Sequence, residues 1–254
     1  MNFNNIRAIV TGGASGLGQG TVKKILAAGG KVCIVDIQDS GKAQADAYGD
    51  NAIFVKTDVS NEQQVNAAVD AAVDAFGGID LAVNCAGIIG AARVLGRDGP
   101  MDGNFFHKVL QVNLLGTFLM TKAAANAMQN NEAGTDDERG VIVNTASVAA
   151  YEGQIGQAAY SATKAGVVGM TLPIARELAR FGIRVMTIAP GIFWTPMMDG
   201  MKPEVQESLI AQVPFPKRLG QPDDFADLVK TITENIMLNG ETIRLDGAIR
   251  MGPK

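Results

Sequence analysis

The sequence predicts an α/β fold in one domain: a doubly wound parallel sheet of about seven strands with helices on both faces. Three observations predict it. Short apolar runs alternate with longer helical patterns along all 254 residues. Most of the apolar runs are continuous rather than alternating, as in strands buried on both faces of a parallel sheet. No linker or internal repeat interrupts the series, and the length suits one large α/β domain, residues 1–254.

Residues 7–10 read as the first strand, and a glycine-rich turn leads from it into a helix over 16–28. Strands follow at 31–36 and 53–56. Asp58 and Ser60 stand before Asn61, so a capped helix over 61–76 is natural. The next strand is 81–84, and a Gly-rich segment at 89–104 separates it from a long helix over 105–130. The stretch 129–140 (QNNEAGTDDERG) is polar and acidic and reads as a solvated surface loop. Strands at 141–145 and 183–188 flank a helix over 160–181, and a helix over 223–234 precedes the last strand, 242–245.

Composition narrows the function. Hydrophobic residues make up 47% and charged residues 19%, enough apolar material for a buried core and too little charge for disorder. The net charge of −4, with no run of Lys or Arg, argues against a nucleic-acid partner. Cys33 and Cys85 lie in apolar segments and read as two reduced core thiols, and no Cys/His spacing suggests a metal site. Residues 1–10 lack the basic and apolar regions of a targeting segment, and no apolar stretch approaches the roughly 20 residues that span a bilayer. A cytoplasmic protein without a membrane partner is expected.

The turn after the first strand is TGGASGLG (11–18). Gly12, Gly16 and Gly18 let the backbone turn tightly and approach a pyrophosphate, while the helix N-terminus presents unpaired N–H groups. A carboxylate, Asp36, ends the next strand, at the spacing expected of an acid that binds the adenine-ribose hydroxyls of a dinucleotide. That carboxylate would repel the 2′-phosphate of NADP, and Ile37 rather than Arg follows, so NAD is the expected cofactor.

Tyr160 and Lys164 stand four residues apart, on one face of a helix. Tyrosine is a poor base near neutrality because its pKa is about 10, but a neighbouring ammonium and a cationic nicotinamide favour the phenolate. Ser147 follows the 141–145 strand, at the carboxyl edge where ligands bind in such sheets, and its hydroxyl can hold a reacting oxygen.

With TGGASGLG (11–18), Asp58-Val59, Asn84-Cys85-Ala86-Gly87, Asn113, Ser147, Tyr160, Lys164 and Pro190-Gly191, the chain resembles the short-chain dehydrogenase/reductase family over nearly its whole length. The resemblance implies a Rossmann fold and a substrate loop at about 191–216. It implies that Tyr160 is the general acid/base, that Ser147 orients the substrate oxygen, and that Lys164 binds the nicotinamide ribose and lowers the Tyr160 pKa. Asn113 would complete a proton relay. Gly12, Ser15, Gly16, Leu17, Gly18, Asp36, Asp58, Val59, Asn84, Ala86, Gly87, Pro190, Gly191, Ile192 and Thr195 would line the cofactor site.

Further stretches, among them NTASVAAYEGQIGQAAYSATKAG, GIRVMTIAPGIF and LNGETIRLDGAIRM, resemble the type II 3-hydroxyacyl-CoA dehydrogenase subgroup. That likeness implies NAD-dependent interconversion of 3-hydroxyacyl-CoA and 3-oxoacyl-CoA in fatty acid metabolism, by a homotetramer, with Gln154 touching the substrate. The 89–104 segment differs in composition from that subgroup. A 3-oxoacyl carrier-protein reductase, a hydroxysteroid or secondary-alcohol dehydrogenase, and a non-catalytic NAD-binding scaffold stay open as alternatives.

His107, the only histidine, reads as a partly exposed helix residue with no catalytic partner. Phe193 and Trp194 line an acyl pocket or pack beneath the loop, and Met197 and Met198 suit an adaptable apolar lid. Arg93, Arg97 and Lys202 could contact CoA phosphates but read first as solvated surface charges.

Overall fold

The computed structural model describes residues 1–194 and 203–253. In chain order the elements are β1 (Arg7–Thr11), α1 (Gly16–Ala27), β2 (Lys31–Asp36), α2 (Ser40–Tyr48), β3 (Ala52–Lys56), α3 (Glu62–Phe76) and β4 (Leu81–Asn84). A small hairpin of β5 (Leu95–Gly96) and β6 (Gly99–Pro100) leads to α4 (Gly103–Leu110), a π-helical turn (Gln111–Leu115) and α5 (Gly116–Met128). Then come β7 (Gly140–Thr145), α6 (Ala158–Leu178), β8 (Ile183–Pro190), α7 (Pro203–Ala211), α8 (Pro222–Glu234) and β9 (Thr242–Leu245).

Seven strands form one parallel sheet in the order β3-β2-β1-β4-β7-β8-β9. The order reverses between β1 and β4, which opens a crevice at the carboxyl ends of those strands. Alternation along each strand divides the core. Ala8 and Val10 of β1 pack with Val22 and Ile25 of α1 and with Phe225, Val229 and Ile232 of α8. Ile9, between them, faces Val65 and Ala68 of α3 and Met120 and Ala124 of α5. Strand β1 is thus covered on both sides, and its apolar run has no reason to alternate.

The sequence places all seven sheet strands, and α3 begins as expected, with the Asn61 side chain accepting the Gln64 N–H at 3.0 Å. Three differences have physical causes. The helix expected over 105–130 is two helices joined by the π turn, because an extra residue per turn is invisible to apolar periodicity. Helix α2 escapes a periodicity reading because it buries only Gly41 and Ala45, and Gly41 lies so close to the Phe54 ring that a Cβ there would sit 2.4 Å from it. The polar 129–140 stretch does not stay solvated to its end. Glu138 turns inward, 6% exposed, and pairs with the buried Arg184 at 2.8 Å.

Among the described residues no helix is long and apolar enough to cross a membrane, and no cluster of His, Cys, Asp or Glu suits a metal ion. Cys33 and Cys85 are both free, and burial pushes each thiol up to about 12.

Candidate functional site

The crevice is built first by close backbone approach. Gly12 adopts φ +63°, and a Cβ on it would lie 2.8 Å from the Ala86 amide nitrogen, so only glycine lets β1 and the turn after β4 meet. A Cβ on Gly18 would lie 2.2 Å from the Gly12 carbonyl oxygen. The Thr11 hydroxyl accepts the Ala86 N–H at 3.1 Å and ties the two turns together. Helix α1 then starts without a side-chain cap and without an acidic residue in its first turn, and a Cβ on Gly16 would point into open space. Uncapped N–H groups beside open space, with no acidic residue in the helix's first turn, fit a bound pyrophosphate.

Asp36 closes the far end of this turn. It is 7% exposed; one carboxylate oxygen accepts the Ala14 N–H at 3.0 Å and the other accepts the Gln38 N–H at 3.0 Å. The Ala14 carbonyl in turn accepts from Gln44 Nε2 at 2.6 Å, so the peptides on both sides of Ala14 are held. Gln44 belongs to α2, the helix that sequence patterning does not reveal, and no motif points to it.

The residues expected along the cofactor channel are held by the fold in different ways. The Asn84 amide is buried and donates to Asn144 Oδ1 at 2.8 Å and to Thr121 Oγ1 at 3.2 Å, so it holds β4 to β7 and α5. Asp58 accepts the Ser60 N–H at 2.9 Å and the Ser60 hydroxyl at 2.7 Å, in the turn that starts α3. Val59 is buried against Gly116. Ala86 is half-buried, Gly87 and Ser15 are exposed, and Leu17 packs partly against the core. Thr195, Met197, Met198 and Lys202 lie outside the described residues.

The chemical centre lies where the π turn, β7 and α6 converge. The wider turn swings Asn113 to the loop after β4: its Oδ1 accepts the Ile88 N–H at 2.8 Å and its Nδ2 donates to the Ile88 carbonyl at 2.9 Å. Asn113 Nδ2 also reaches Thr163 Oγ1 on α6 at 3.3 Å. A Cβ on Gly87 would lie 3.2 Å from Asn113 Oδ1 and 3.7 Å from Lys164 Nζ, which shows how closely these groups gather. Lys164 is 5% exposed, donates to the Thr145 carbonyl at 2.8 Å, and stands 5.6 Å from the centre of the Tyr160 ring. Ser147, extended at the end of β7, accepts the Ala149 N–H at 3.1 Å, and its hydroxyl acts to lower the Tyr160 phenol.

Burial dominates the electrostatics of this centre. Burial holds the Tyr160 phenol above its ordinary value, and the Ser147 hydrogen bond offsets this only in part. Burial also lowers Lys164 to about 8. Lys164 directs its ammonium at a backbone carbonyl rather than at the phenol, so it does not by itself bring Tyr160 down.

The substrate side is less enclosed. Gln154 is half-buried, with its Nε2 donating to the Gly252 carbonyl at 3.3 Å. Gly191 sits so near Asp246 that a Cβ would meet its Cα at 2.8 Å, and Pro190 is buried. Ile192 and Phe193 line a small hollow of about 120 Å³ together with Val213, Arg218 and Leu245, so Phe193 borders a cavity. His107, Arg93 and Arg97 are exposed.

Comparison with known proteins agrees with this geometry. Residues 7–206 match the family model described as short chain dehydrogenase. The chain is 51% identical to 3-hydroxyacyl-CoA dehydrogenase type-2 of Homo sapiens over 251 residues, covering 97% of this chain and 95% of that one. It is 49% identical to the protein of that name from Drosophila melanogaster, covering 99% and 100%. The crystal structure of 3-hydroxyacyl-CoA dehydrogenase type-2 from Mycobacterium avium superposes with a TM-score of 0.94, at 46% identity and 98% coverage of both chains.

Proposed function

The chain belongs to the short-chain dehydrogenase family and is an oxidoreductase, and on that premise we propose that it interconverts 3-hydroxyacyl-CoA and 3-oxoacyl-CoA thioesters with NAD. The observation that carries the chemistry is the Ser147–Tyr160–Lys164 grouping, joined through Thr163 to Asn113. The near full-length likeness to proteins named for that activity supports the substrate class.

Asp36, Gly12, Ser15, Gly16, Leu17 and Gly18 would hold the adenosine and pyrophosphate of NAD, and the loop 86–88, Lys164 and residues 190–192 its nicotinamide half. When bound, NAD supplies hydride transfer at C3 of the acyl chain. The protein's part is placement and proton transfer. In reduction Tyr160, kept protonated by burial, gives its proton to the C3 oxygen, and Ser147 steadies that oxygen with a second hydrogen bond. Preorganised donors of this kind contribute about 2.7–4 kcal/mol each. In oxidation Tyr160 takes the hydroxyl proton, a step that needs added positive charge beside the buried phenol. Asn113, clamped to Ile88, would hold water for the proton's exit.

Asp36 supports NAD over NADP because a buried carboxylate repels a 2′-phosphate. Leu115 of the π turn, Phe118 of α5 and Leu172 of α6 expose large apolar side chains, and these suit subunit contacts in a homotetramer. The test is NADH consumption with acetoacetyl-CoA, run beside NADPH. Rapid turnover that favours NADH is expected. NADH binding without turnover would overturn the thioester reading and favour carrier-protein thioesters, steroids or simple alcohols.

A further inference from the structure

Between Ser147 and Tyr160 the chain makes a long excursion, and one carboxylate fastens its middle. Glu152 Oε1 accepts from Arg244 Nη1 at 2.7 Å and Oε2 accepts from Arg244 Nη2 at 3.0 Å, a two-pronged pairing. Oε2 also accepts the Met251 N–H at 3.2 Å, and Arg250 Nε stands 3.5 Å from Oε1. Arg244 is fixed in turn: its Nε donates to Asp246 at 2.7 Å, its Nη2 donates to the Ile249 carbonyl at 3.0 Å, and the Tyr151 ring lies beneath it at 5.3 Å. Two more bonds continue the seam, Ile155 N–H to the Pro253 carbonyl at 3.0 Å and Gln154 Nε2 to the Gly252 carbonyl. On the other flank Ala92 N–H donates to the Gly156 carbonyl at 2.8 Å.

We propose that Glu152 is a positioning residue for the substrate side of the site: by clamping the 147–157 segment to β9 and to residues 249–253, it fixes where Ser147 and Gln154 meet the substrate. The reach is short. Glu152 N–H donates to the Val148 carbonyl at 3.0 Å and Ala150 N–H to the Ser147 carbonyl at 3.0 Å, so one tight turn connects the clamp to Ser147. Gln157 N–H donates to the Gln154 carbonyl at 3.0 Å, and its own carbonyl accepts the Ser161 N–H at 2.7 Å, which carries the seam into α6 beside Tyr160. None of these bonds touches the α1 turn or Asp36, so the clamp acts on substrate placement and leaves the adenosine end alone.

The kinetic arm of the test rests on the acyl-thioester reading, so a second readout is independent of it. In Glu152→Ala and Glu152→Gln, kcat/KM for acetoacetyl-CoA falls about 10- to 100-fold, the size expected for a small misplacement of reacting groups. NADH binding, read by fluorescence, stays within about twofold. Glu152→Asp, which keeps the charge, recovers part of the loss. Hydrogen exchange quickens in residues 147–157 and 249–253 and not in 11–18. If wild type does not turn over acetoacetyl-CoA, the thioester reading fails while the exchange pattern still decides the clamp. Unchanged exchange in 147–157, or NADH affinity lost in step with kcat/KM, would overturn the proposal.

Discussion

Replacing Asp36 by Ala removes one buried carboxylate that braces a turn and, on the account above, binds a ribose. The two roles separate by magnitude. Both oxygens accept backbone N–H groups, from Ala14 and Gln38, each at 3.0 Å. Hydrogen bonds to a charged group contribute about 1.5–3 kcal/mol each, so the turn loosens and both NADH and NADPH bind more weakly. A ribose hydroxyl bond adds a further loss of about 1.5–3 kcal/mol, roughly 10- to 150-fold, for NADH alone. NADPH, with a 2′-phosphate at that point, is instead relieved of repulsion. The ratio of the two dissociation constants therefore contracts by at least about tenfold. Nicotinamide fluorescence titrations of wild type, Asp36→Ala and Asp36→Asn measure it. If both affinities drop and their ratio does not move, Asp36 is a turn brace only.

Two further predictions concern buried charge. Lys164 is lowered by burial to about 8, so between about pH 8 and its ordinary value the unfolded chain holds a proton that the folded chain has released. Its contribution to stability thus rises with pH across that window. Urea titrations of wild type and Lys164→Met at pH 7 and pH 9.5 should show the wild type gaining on the variant, and parallel behaviour would contradict the burial assigned to Lys164. Glu138 pairs with Arg184 where both side chains are almost fully buried, so Glu138→Ala leaves an uncompensated guanidinium and costs about 3–5 kcal/mol of unfolding free energy. A loss below about 1 kcal/mol in the same urea assay would place the pair at a solvated surface.

Much of the architecture is legible in the sequence because it rests on chemistry local to the chain. Apolar runs locate the strands, and Gly12 and Gly18 mark the close approach that a dinucleotide turn requires. Tyr160, Lys164 and Ser147 carry spacing and edge position in the linear order. Asn113 is visible as a residue, but not the π turn that aims it, since periodicity registers faces rather than extra residues in a turn. Gln44 and Glu152 were beyond reach for a different reason. Their partners, Ala14, Arg244 and Met251, are distant in sequence, and an ordinary Gln or Glu signals nothing until the fold supplies the other half. The partner of the Lys164 ammonium is hidden for the same reason: the i, i+4 spacing shows that Lys164 is near Tyr160, while the Thr145 carbonyl that accepts from it belongs to β7.

The most direct test of the central claim is Tyr160→Phe, which removes one hydroxyl and keeps the ring. With NADH and acetoacetyl-CoA, the account predicts NADH affinity near that of wild type and a turnover reduced by about 10²- to 10⁴-fold, the range of a lost general acid. Turnover within about tenfold of wild type would contradict Tyr160 as the proton donor.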